Sequence, residues 1–156
     1  MTVQKVNTVR VFYGPRDTEQ VAPSKTNKGG KTQELVVPVT YNNLPTTDAT
    51  DAVIQAIPAG ALIKSATLIV DEAFDSTSGT TTINIGLSEL DGTVVDADGI
   101  DAAVAWDAAA GTVVLCNGAD IGTIPSLTDP LQVTIVPSVA DLVAGAGRLV
   151  IEYTTA

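Results

Sequence analysis

Apolar side chains in this chain recur at every second position, in short runs. Leu35, Val37, Val39 and Tyr41 alternate with Glu34, Val36, Pro38 and Thr40; Ile83, Ile85 and Leu87 alternate with Thr82, Asn84 and Gly86. Leu131, Val133 and Ile135 alternate with Gln132, Thr134 and Val136; Leu149, Ile151 and Tyr153 alternate with Arg148, Val150 and Glu152. A period of two puts one set of side chains on one face of extended backbone, so each run reads as a strand with one buried face. Clusters of Gly, Pro, Asp, Asn and Ser separate the runs and mark turns.

Further segments fit between these. Ala61 to Val70 is the longest apolar run, with Leu62, Ile63, Ala66, Leu68, Ile69 and Val70 broken by Lys64, Ser65 and Thr67. It reads as a strand buried on one face and partly covered on the other, and Leu68 and Ile85 are expected in the core. Val9 to Tyr13, Thr93 to Val95 and Val113 to Cys116 are shorter strand candidates, and Asp91-Gly92 signals a tight turn. Pro38 lacks a ladder donor and points to an edge strand or a bulge. Around residues 48–57 two readings stand: Asp48 or Asp51 caps a short helix, or Val53 to Ile57 is a strand. The alanine-rich stretch after Asp96 predicts a short helix over about Ile100 to Ala109, stopped by Gly111. Gly145-Ala146-Gly147 reads as a turn ahead of the last strand. About eight short strands with at most one or two short helices make an all-β fold, a β-sandwich, with the jelly roll among its forms.

The length of 156 residues fits one domain that needs no metal or disulfide to build a core. Residues 14–33 (GPRDTEQVAPSKTNKGGKTQ) are too poor in apolar residues to offset their own ordering entropy. Residues 1–34 are therefore read as an extended N-terminal arm carrying one short strand, and residues 35–156 as the sandwich. Charge divides at the same place. The arm holds six basic residues (Lys5, Arg10, Arg16, Lys25, Lys28, Lys31) against Asp17, Glu19 and Glu34, a net +3; the formal charge of −10 leaves −13 for the remainder. So acidic a body is repelled by phosphate backbones, which argues against nucleic acid as a partner, whereas the arm suits an acidic protein surface. No window approaches the ~18 apolar residues of a membrane helix, and MTVQKVNTVR lacks the apolar run of a signal peptide, so no membrane partner and synthesis in a cytoplasm are expected.

Histidine is absent, which removes Ser-His-Asp and Cys-His catalysis and His-bearing metal sites. Paired carboxylates could still do acid and base work, but fifteen acidic residues after position 34 make any one pair uninformative. Asp96, Asp98 and Asp101 (DADGID) have a superficial likeness to a calcium loop; the spacing and the distal Glu of an EF-hand are missing, and solvated turn carboxylates are the preferred reading. Gly29-Gly30-Lys31-Thr32 matches only the tail of a phosphate-binding loop. Cys116, the lone cysteine, reads as a small buried hydrophobe rather than a reactive thiol. Trp106 reads as a packing residue rather than a sugar platform. No enzyme, cofactor or metal site is expected.

Three segments resemble the small head proteins of tailed bacteriophages, and more specifically capsid decoration (cement) proteins: IPAGALIKSATLIVDEAF (57–74), TTTINIGLSELDGTVVDADGIDAAVAW (80–106) and AGAGRLVIEYTT (144–155). The resemblance implies a β-sandwich on the outside of an assembled virion shell, bound to the major capsid protein, commonly as a homotrimer, with an N-terminal arm reaching over neighbouring subunits. It implies no cofactor and no catalysis, and it assigns no individual binding residue. The candidate capsid-binding residues Lys5, Arg10, Arg16, Lys25, Lys28 and Lys31 rest on charge and arm composition alone. The alternatives are another virion accessory protein, such as a head fibre base or tail component, and a carbohydrate-binding adhesion module.

Overall fold

A computed structural model describes residues 32–42, 53–105 and 107–155. Eight strands follow one another within them: β1 (Thr32–Thr40), β2 (Val53–Ile57), β3 (Leu62–Ser76), β4 (Thr82–Glu89), β5 (Val94–Ala105), β6 (Val113–Leu115), β7 (Leu131–Pro137) and β8 (Leu142–Thr154). They form two four-stranded antiparallel sheets, in the orders β1-β8-β3-β6 and β2-β7-β4-β5. First therefore pairs with last, second with seventh, third with sixth and fourth with fifth. That is one long antiparallel hairpin, bent at the β4–β5 turn and rolled up: the eight-stranded jelly roll.

The period-two runs are the sheets' inner faces. Val37 and Val39 from β1, Ile63, Leu68 and Val70 from β3, and Leu149 and Ile151 from β8 meet Ile83, Ile85 and Leu87 from β4 and Leu131, Val133 and Ile135 from β7; all are buried. Each such side chain contributes about 1.5–3 kcal/mol of transfer free energy, so light aliphatic residues are sufficient for this core. Pro38 lies on β1, an edge strand, where its missing N–H interrupts no inner ladder. Asp91-Gly92 makes the β4–β5 turn: Gly92 has φ +94°, Thr93 N donates to Asp91 Oδ1 (2.9 Å) and Glu89 N to Thr93 O (2.8 Å).

Two local expectations are corrected. The helix expected over Ile100–Ala109 is not formed; β5 runs through Ala105, with Ile83 opposite Val104 and Ile85 opposite Asp101. Ile100 and Val104 are buried, Ala103 takes φ +55°, and its N–H donates to Asn84 Oδ1 at 3.0 Å. Alanine's helix preference is worth only a few tenths of a kcal/mol per residue over its competitors, and pairing with β4 outweighs it. Likewise Gly145-Ala146-Gly147 is no turn but the middle of β8, at the place where β3 bulges between Val70 and Asp75. Of the two readings for residues 48–57, the strand Val53–Ile57 is formed.

Candidate functional site

The chemistry-bearing side chains singled out in the DADGID segment lie along one side of the sandwich. Between the pairs Ile85–Asp101 and Leu87–Asp96, two steps along β4 are matched by five along β5. The surplus backbone folds over Gly86, where any side chain would collide with the main chain of Asp96 and Ala97. On the far side the chain leaving β6 meets this bulge: Gly118 N donates to Ile100 O and Asp120 N to Gly99 O, both at 2.8 Å. The same loop stays tied to β3, through Cys116 N to Ala66 O (3.0 Å) and Gly122 N to Ile63 O (2.7 Å). Residues 116–122 thus strap the edge strand β5 of one sheet to β3 of the other.

Three titratable groups are drawn into that seam. Asp101 is 7% exposed, and burial raises its carboxyl above the ordinary value of 3.8, opposed by hydrogen bonds from the Ala102 amide and the Cys116 thiol. Burial, with the Asp101 charge beside it, pushes the Cys116 thiol up to about 12, so it stays a protonated donor at neutral pH. Asp120 is raised by burial and by the Asp96 charge; its Oδ2 lies against Gly99 with no hydrogen-bond partner. Asp96 Oδ1 is occupied by the Asp98 amide at 3.2 Å. Among the described residues no three metal-ligating side chains converge on a point. The DADGID carboxylates are dispersed: Asp101 turns inward to Cys116, while Asp98 stays exposed.

At the end of the sandwich where the β4–β5 turn lies, an open cleft of about 220 Å³ is lined by Glu89, Leu90, Asp91, Asp129 and Pro130. Three carboxylates around two apolar residues make it a place for a cationic or amide-bearing group. Asp91 is held below the ordinary carboxylate range by the Thr93 backbone and side chain.

The six candidate capsid-binding residues, Lys5, Arg10, Arg16, Lys25, Lys28 and Lys31, lie outside the described residues, as do Asp48, Asp51 and Trp106. Cys116 is buried, as the sequence suggests. Sequence reasoning missed Asp120 and Gly86, because Gly86 meets the backbone of Asp96 and Ala97 and Asp120 meets Gly99 only once β5 has bulged, and no local pattern specifies those partners. The small residue at position 86, in the midst of an otherwise regular strand, is the one local signal that another backbone passes over it.

No protein-family model matches the chain, and no curated protein does. Solved structures do. A chain of the cyanophage Pam1 capsid asymmetric unit matches with a TM-score of 0.51 at 17% identity, over 82% of this chain and 87% of that one. A chain of the capsid of Ralstonia phage GP4 matches with a TM-score of 0.58 at 21% identity, over 82% of this chain and 86% of that one. What this chain shares with these two phage capsid chains, across four-fifths of its length, is its fold.

Proposed function

We propose that this chain is a structural protein of a tailed-phage particle, a decoration protein that binds the outer surface of the assembled shell and stabilises it. The observation that carries the reading is the shared jelly roll: the likeness spans most of this chain and most of each of the two capsid chains. The charge layout supports docking on a protein surface. Six of the eight basic residues precede β1, and the major capsid protein is the partner that a basic leader on an acidic globule fits.

Ordering a leader on a surface costs about 1–2 kcal/mol per residue in backbone entropy, so many contacts must offset it. Joining copies into a homotrimer raises the effective concentration of each leader at its site and lets individually weak contacts hold. In this reading the acidic body faces solvent and keeps decorated particles apart. The protein performs no catalytic step and uses no cofactor.

The experiment is to mix the purified intact chain with undecorated shells and sediment them. Saturable co-sedimentation, with shells that withstand more heat or chelator, is the expected result. If competent shells leave the protein in the supernatant, the decoration reading is wrong.

A further inference from the structure

Asp120 is held through its backbone but unserved at its side chain. Its N–H donates to Gly99 O and the Gly118 N–H to Ile100 O, both at 2.8 Å, so the strap lies directly on the β5 bulge. The approach is close because glycine stands on both sides of it. A side chain at Gly99 would collide with the Asp120 carboxyl, and one at Gly118 with the main chain of Gly99 and Ile100. The carboxyl is thereby fixed over Gly99, with Oδ2 buried and, among the described residues, without a hydrogen-bond partner. Asp96 stands beside the same glycine, and its Oδ1 accepts from the Asp98 amide. The donors at this point, the Asp120 and Asp98 amides, are therefore both engaged. Asp120 Oδ2 is an acceptor among acceptors, next to a second carboxylate, and is costly to bury while it is ionised. One proton supplies the missing donor and removes one of the two charges.

We infer that the strap 116–122 is a proton-operated latch, closed on β5 when the Asp120 carboxyl is protonated and opening locally when it is ionised. The charges around the carboxyl set the direction. From β5 they are Asp96, beside Gly99, and the exposed Asp98; from the strap itself there is Cys116, a neutral thiol donating to Asp101. The strap meets β3 through main-chain bonds at Ile63 and Ala66, and the cation between those positions, Lys64, has its Nζ on Thr32 Oγ1 (3.2 Å), toward β1. None of these groups offsets the Asp120 charge, and burial and Asp96 together raise its carboxyl above 3.8. The raised value belongs to the closed strap. The proton's contribution to closure is thus complete below the open-strap value and is lost as pH rises through the raised one. Acid closes the latch. Opening is local: it frees the amides of Gly118, Asp120 and Gly122, while the ladders between β3 and β8 and between β4 and β7 stay formed.

The test is amide hydrogen exchange of the full chain, followed residue by residue by NMR from pH 4 to pH 8, with each rate divided by that of an unstructured amide at the same pH. No shell is present, so the result stands apart from the decoration reading. Low urea separates local from global opening, because only an opening that exposes much surface responds to it. The Gly118 and Asp120 amides are expected to be less protected than those of Ile135 and Leu149 and indifferent to low urea. Their protection is expected to fall by at least about threefold between pH 4 and pH 8. Asp120→Asn keeps the shape and carries its own donor, so its strap amides are expected to hold one level of protection across the range. Asp96→Asn removes the neighbouring charge and is expected to shrink the fall. Strap amides that share the protection and the urea response of Ile135 and Leu149 overturn the inference, since the strap then opens only with the whole protein. Protection independent of pH in the parent, or a fall as large in both variants as in the parent, overturns it as well.

Discussion

The ring of Phe74 on β3 fills the space that a side chain at Gly145 on β8 would need. The two central strands of the sheet approach at this point because β3 bulges, and Gly145 itself takes φ +119°, a conformation that side chains oppose. Gly145→Val must therefore displace a buried aromatic ring and strain the backbone together. The expected loss is about 2–4 kcal/mol, read as a lower urea midpoint. Unchanged stability would mean that β3 and β8 do not pack as described.

Stability should rise as pH falls from neutral toward about 4. Asp101 and Asp120 have folded-state pKa values raised above the ordinary 3.8, so the folded protein holds their protons more tightly than the unfolded chain does. Their contribution grows as pH falls through the raised values and is complete below the unfolded one. Asp71 and Asp91 are depressed, by Arg148 and by Thr93 respectively, and their contribution is lost as pH falls further, through values below 3.8. Urea titrations from pH 7 to pH 2 should pass through a maximum between the two regimes. Asp120→Asn should flatten the rise on the neutral side. A variant whose profile overlays the parent's would remove Asp120 from the seam.

Cys116 should resist alkylation in the folded protein. With the thiol pushed up to about 12, roughly one molecule in ten thousand carries a thiolate at pH 8, against about a quarter for a free cysteine. Labelling by iodoacetamide should be at least ~1,000-fold slower than in urea, since burial adds to the low thiolate fraction. Equal rates in the two conditions would contradict a buried thiol bonded to Asp101.

What was legible in the sequence is what a period of two can carry. Ile83, Ile85, Leu87, Leu149 and Ile151 announce their strands and their inward faces, and Pro38 announces an edge. Strand order is not written locally: nothing near Leu35 says that its partner is Ile151, more than a hundred positions away. The alanines of residues 102–110 mislead because helix preference is a local quantity, whereas Val104 is held by Ile83 on another strand. The glycines of β8 read as a turn for the same reason. Their meaning is a close approach to Phe74 and to the Ile69 carbonyl, which only the folded sheet creates. The seam at Asp101, Cys116 and Asp120 depends on a bulge in β5, and no residue pattern in β5 alone specifies its partner loop.

The most direct test of the central claim keeps the whole chain and changes only its leader. Replacing Lys5, Arg10, Arg16, Lys25, Lys28 and Lys31 with glutamine leaves every strand from β1 to β8 intact. Co-sedimentation with undecorated shells should then fall at least tenfold in affinity while the melting temperature stays that of the parent, and parental binding should itself weaken with salt. Undiminished, salt-independent attachment of the glutamine variant would contradict the account.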